Sequence, residues 1–224
     1  MRIAFTIICS IASCCLLLQA DQTNSTGAVE ESYLRTVTQR AERIAKPLGI
    51  ADAAKADRVV GIMVQQYCDL AKIHDERDAG IAAAKKAENN AEKDQLTAQT
   101  RKVAEVRLDQ LHAQFLQKLS AELSPEQVDQ VKDGMTYGVL HVTYAAYLKS
   151  FPNLAEEQKQ QIKAWLTEAR EIAMDQGSSR EKHAVFGKYK GRINNYLVKA
   201  GYDLKEGEAN LRKSMSNPTT SQPK

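Results

Sequence analysis

Residues 123–135 read LSPEQVDQVKDGM, and this stretch decides the fold. Ser124 can accept the N–H of Gln127 while Gln127 reaches back to the Ser124 N–H, and Pro125 occupies the first helical position. Val128, Val131 and Met135 then open an apolar stripe at helical spacing, continued by Gly138, Val142 and Ala145 as far as the stop at Phe151-Pro152. Gly134 and Gly138 would each cost such a helix about 1 kcal/mol, so a close helix approach is expected to use them. A second start of this kind, Ser178 to Glu181, opens a helix that buries Val185, Tyr189, Ile193, Tyr196 and Leu197 and closes at Gly201.

The same reading extends outward along the chain. Residues 30–46 form an amphipathic helix stopped by Pro47 and Gly49, and Asp52 caps a helix with Val60, Met63, Tyr67, Leu70 and His74 on one stripe. Between Ala79 and Ala104 the only large apolar residues are Ile81, Leu96 and Val103, among strong helix formers with little to bury. That segment reads as a long helical hairpin turning near Asn89-Asn90, with a return stripe at Ala104, Leu108, Leu111, Phe115 and Leu119. Residues 155–175 supply a further helix with Ile162, Trp165, Leu166, Ala169 and Ile172 inward. The expectation is an all-α bundle of about six helices with the hairpin protruding around residues 75–110.

Composition agrees. The 224 residues suit one domain, 43% of them are hydrophobic and 26% charged, and aromatics make up only 6%. That balance excludes a wholly disordered chain and argues against a β-sandwich. With 31 basic and 28 acidic residues, no bulk charge demands a nucleic-acid partner. Residues 1–20 read as a secretory leader: Arg2, the apolar run Ile3 to Leu18, then Leu18-Gln19-Ala20 at the cut, placing the mature chain in the periplasm or outside the cell. Ile11-Ala12-Ser13-Cys14 is a rival lipoprotein box, and membrane attachment follows only if Cys14 is lipidated. Cleavage after Ala20 removes Cys9, Cys14 and Cys15, leaving Cys68 alone and no intramolecular disulfide. Residues 21–28 read as a flexible segment, 29–204 as a single helical domain, and 205–224 as a mostly disordered tail, Ser-, Thr- and Pro-rich from 214. Leu123-Ser124-Pro125-Glu126-Gln127 returns as Leu154-Ala155-Glu156-Glu157-Gln158, a weak repeat or the shared grammar of helix starts.

VDQVKDGMTYGVLHVTYAAY at 128–147, MDQGSSREKHAVFGKYKGRINNYLVKAGYD at 174–203 and QQYCDLAKIHDERD at 65–78 resemble a family of secreted bacterial proteins known only as a domain of unknown function. The resemblance spans roughly residues 33–204. It implies export and glycan handling, since a sugar-binding role has been supposed for that family, and it implies no reaction. The Gln-bearing helix starts are more weakly similar to periplasmic chaperones and stress sensors of the Spy/CpxP type, which implies a protein client instead.

The richest candidate site is the segment from Arg180 to Lys199. It carries Arg180, Lys182, Lys188, Lys190, Arg192 and Lys199 against the single acid Glu181, with His183, Tyr189, Asn194, Asn195 and Tyr196 interleaved. Lys188, Arg192, Asn195 and Lys199 share one helix face, and the helix start adds free N–H donors for an anion. Such groups suit a carboxylated or sulfated oligosaccharide or polysaccharide; the bland alternative is a solvated helix face. Tyr137, His141 and Tyr144 form a secondary aromatic stripe that is either a sugar platform or core packing. His74, Asp78, Asp109 and His112 are the one metal-like set, four groups that the hairpin could bring face to face, and equally ordinary surface residues. No catalytic motif and no cofactor signature is present, although Glu168, Glu171 and Asp175 offer carboxylates of the kind that cleave glycosidic bonds. The functional expectation is an exported accessory protein binding anionic glycan, with a chaperone or stress sensor, and a polysaccharide hydrolase or lyase, as alternatives.

Overall fold

The computed structural model describes residues 15–216 and, from Glu30 onward, their side chains. Eight α-helices follow one another among the described residues: α1 (Cys15–Ala45), α2 (Ala53–Ala84), α3 (Asn90–Glu122), α4 (Pro125–Met135), α5 (Val139–Ser150), α6 (Glu156–Met174), α7 (Ser179–Lys199) and α8 (Leu204–Ser216). There is no strand among the described residues, so the all-α expectation holds.

The starts form as their side chains dictate. Asp52 Oδ1 accepts from the Ala54 and Lys55 N–H groups, and Asn89 Oδ1 from Glu92 N–H at 2.8 Å. Ser124 and Gln127 close the full capping box. Gln158 takes the cap N–H of α6 as Gln127 takes that of α4, so the two repeated pentapeptides do the same job. At the end of α1, Lys46–Leu48 make one 3-10 turn and Gly49, at φ 66°, ends it.

Three departures from expectation have physical causes. The helix read over 125–150 is two helices, because Tyr137 (φ 59°) and Gly138 (φ 65°) both adopt left-handed backbone and turn the chain between α4 and α5. Val142 accordingly points to solvent instead of continuing the Val128 stripe. Gly134 does mark a close approach, since a Cβ there would lie 2.8 Å from Ile44 Cγ2 of α1. The tail read as disordered from 205 is instead helical to Ser216: Gly207 presses against the Phe151 ring, and Asn210 donates to the Ser150 carbonyl at 3.2 Å, docking α8 on α5. Gly201 and polar composition concealed it. At the other end, the backbone of α1 is already helical from Cys15, which takes in residues 21–28 that the composition gave as flexible. Residues 1–14, most of the expected leader, and 217–224 of the tail lie outside the described residues.

Two apolar clusters hold the helices. Val37, Ile44, Val59, Met63, Phe115, Leu119, Val131 and Met135 join α1 to α4, with Met174 reaching in from α6. Leu140, Tyr147, Phe151, Ile162, Leu166, Phe186, Ile193 and Leu197 join α5, α6 and α7. Where α6 meets α3 and α4, outside those clusters, the contacts are ionic: Arg170 to Asp129 and Asp133, Lys132 to Glu171, and His112 to Asp175. Between Ala79 and Val103 only Ala84 is buried, so the distal α2–α3 hairpin has solvent on most sides. No helix among the described residues is long and apolar enough to cross a membrane.

Candidate functional site

Helix α7 exposes the cationic stripe read from its sequence. Lys188, Arg192, Asn195 and Lys199 are all exposed, while Phe186, Ile193 and Leu197 on the opposite face are buried. The stripe borders a shallow depression of about 680 Å³ whose remaining walls are Trp165 of α6, Gly191 and Tyr196. Trp165 and Tyr196 meet edge to face, centroids 5.2 Å apart at 88°. The Arg192 guanidinium lies over the indole, 4.6 Å from its centroid, and 3.5 Å from Glu168. Both partners of that ion pair are about half exposed, so the pairing is weak and readily exchanged. Gly191 leaves the floor without a side chain, with nothing within 4 Å of where a Cβ would be.

Other members of the segment are placed elsewhere. Lys182, expected at the surface, is 4% exposed and donates from Nζ to the Met174 carbonyl at 2.9 Å. Burial pushes its ammonium down to about 8. Asn194 accepts from the Tyr147 hydroxyl at 2.8 Å, as does the Lys190 carbonyl at 3.2 Å, so these two positions tie α7 to α5 on the side away from the stripe. Tyr189 is half-buried on the second cluster, its ring 6.0 Å from the Arg192 guanidinium. Arg180 is exposed in the first turn. His183 bonds the Ser179 carbonyl and stacks on Tyr137 at 5.7 Å. The aromatic stripe Tyr137, His141, Tyr144 does not form, because the left-handed break separates its first member from the other two. His141 meets Asp133 at 2.6 Å, and Tyr144 packs on the second cluster.

A larger groove of about 960 Å³ separates the hairpin from α6 and α7 and is lined by Asp78, Asp109, His112, Glu171, Asp175 and Lys188, among others. It gathers three of the four metal-like residues without making a metal site. His74 is turned away, donating from Nε2 to the Asp175 carbonyl at 2.7 Å and accepting from Arg77 at Nδ1. Among the described residues no three His, Cys, Asp or Glu side chains converge to hold an ion. His112 Nδ1 instead donates to Asp175 Oδ2 at 2.7 Å, with Glu171 at 3.6 Å from Nε2. The Asp175 hydrogen bond, and after it the Asp175 and Glu171 charges, raise the His112 pKa against burial and the Lys132 charge. Burial raises the Asp175 carboxyl in turn, more than His112 lowers it.

The raised His112 value has a definite sign. The charged imidazole stabilises the fold fully below its unfolded pKa of about 6.5, and that stability is lost as pH rises through the higher folded value. Thermal midpoints should therefore fall as pH climbs from about 6.5 through the folded pKa. His112→Gln should flatten that slope. An unchanged slope in the variant would assign the dependence to other groups.

A model for the family described as "Protein of unknown function (DUF3826)" matches residues 34–216. The chain belongs to that family. The match ends where α8 ends and so includes the helix that composition concealed. No curated protein matches the chain. Sequence reading placed Trp165 in the core and so missed its part in the depression. The sequence marks Trp165 only as the sole tryptophan; that it flanks α7 follows from the packing of α6 on α7.

Proposed function

We propose that this member of the family binds an anionic oligosaccharide on the α6–α7 face, without cleaving it, as an exported protein of the periplasm or cell exterior. The observation that carries this reading is the cationic stripe Lys188, Arg192 and Lys199 beside the Trp165–Tyr196 pair. The volume of the depression is in the range that saccharides and other small ligands occupy. The indole and phenol supply apolar surface for a sugar ring, Arg192 and Lys188 pair with carboxylate or sulfate, and Asn195 serves hydroxyls. The leader-like residues 1–20 support export.

Exposed charge pairs contribute about 0.2–1 kcal/mol each, so affinity should be micromolar at best and weaken as salt rises. Calorimetry at low salt against pectic, alginate-like and sulfated oligosaccharides is the test. Lys188→Ala with Arg192→Ala should weaken binding roughly tenfold and leave thermal stability unchanged. No heat with any of these glycans, or binding that survives the double substitution, would overturn the proposal.

A further inference from the structure

The N-terminus of α7 ends on a second, more enclosed pocket, of about 200 Å³, that is separate from the Trp165 face. Its walls come from α1 (Tyr33, Arg40), α2 (Tyr67, Leu70, Ala71) and the entry to α7 (Ser178, Ser179, Lys182), with Tyr137 at its side. Two cations converge there. Lys182 is buried with one carbonyl partner, although an ammonium carries three donors. Arg40 lies across the Tyr67 ring, 5.3 Å from the centroid, and makes no ion pair among the described residues. The nearest acids are Asp175, whose Oδ2 takes the His112 bond while its charge also acts on Lys182, and Glu181, which bonds Ser178 and Arg77.

Tyr67 supplies an independent sign of a missing partner. It is only 5% exposed, and its hydroxyl, buried in the wall of this pocket, makes no well-formed hydrogen bond among the described residues, with the Arg40 guanidinium its neighbour. Buried polar groups are almost always satisfied. The first-turn N–H of Ser179 likewise has no intrahelical acceptor, and the helix dipole favours negative charge at this end. The backbone strain nearby is also local to this site, since Tyr137 is the one non-glycine residue at positive φ among the described residues.

We propose that this pocket binds a tetrahedral oxyanion, phosphate or sulfate, held by Arg40, Lys182, the Tyr67 hydroxyl and the Ser179 N–H. The volume corresponds to about six or seven waters, ample for one such group and too small for a saccharide chain. Donors approach from three helices, which suits a tetrahedral ligand over a planar carboxylate. The ligand can be the free ion or a phosphate or sulfate ester whose sugar remains outside. The proposal does not depend on glycan binding at Trp165, because no residue is shared with that face.

The test is thermal stability and amide NMR of the full chain titrated with inorganic phosphate, sulfate, acetate and a hexose phosphate. Phosphate or sulfate should raise the melting temperature in proportion to the logarithm of concentration and shift the Ser179 amide. Arg40→Gln should lose at least about tenfold in affinity. Tyr67→Phe should bind about threefold more weakly while melting no lower than the parent without ligand, since an unsatisfied hydroxyl is removed. Lys188→Ala with Arg192→Ala should bind phosphate as the parent does, which separates this site from the other. Tighter binding of the hexose phosphate than of phosphate would identify an ester as the ligand, and the reverse order the free ion. An unmoved Ser179 amide with every anion, acetate binding as tightly as phosphate, or full affinity in Arg40→Gln would overturn the proposal.

Discussion

Arg170→Ala should cost about 3 kcal/mol, at the lower end for loss of one member of a buried ion pair. Arg170 is 5% exposed and donates to Asp133 at 2.9 Å, Asp129 at 2.8 Å and Glu171 at 3.2 Å. Removing it leaves the largely buried Asp133 with His141 alone, beside an empty space, while the exposed Asp129 returns to water. For a domain of this size the melting temperature should drop by roughly 6–12 °C. Urea unfolding measures it, and a loss below about 1 kcal/mol would mean that the ionic joint between α4 and α6 contributes little. Arg170→Met combined with Asp133→Leu should recover much of the loss, because a matched apolar pair needs no charge partner.

Phe186→Ala should cost about 3–5 kcal/mol by a different route, a cavity in place of a broken ion-pair network. The ring is 1% exposed and sits among Leu140, Leu166 and Ile193 on the inner face of α7. Glycan affinity should fall along with stability, since the helix that presents Lys188 and Arg192 is seated by this ring. Trp165→Ala provides the contrast: the indole is half-buried, so stability should suffer less than binding. Equal stability losses in the two variants would show that Trp165 is a core residue.

The legible parts of the sequence were those whose physics is local. Ser124 with Gln127, and Asp52, each act within four residues, and each forms the cap that its spacing implies. The Lys188–Lys199 face was equally readable, because helical periodicity alone places those side chains together. What escaped depends on distant chain. Tyr137 at positive φ carries no local mark, because nothing in its side chain asks for left-handed backbone. Lys182 looks like a surface cation until α1, α2 and α6 close over it, and Arg40 and Tyr67 meet it only through that packing. Trp165 was read as core because apolar residues at helical spacing usually are; its half-exposure depends on where α7 lies.

The docking of α8 bears on where this unit can be cut. The last helix evident in the sequence closes at Gly201, yet a chain trimmed there would lose Tyr202, whose ring covers the edge of Phe151 at 5.5 Å and whose hydroxyl bonds the Asn153 carbonyl. It would also lose the Gly207 backbone that closes over the same phenylalanine. The shortened protein would keep every residue of its cationic face and gain an apolar scar beside it, a surface prone to self-association. A piece that keeps this closure therefore runs at least through Asn210, with its limit set by packing over an aromatic ring and not by the last helix that composition makes obvious.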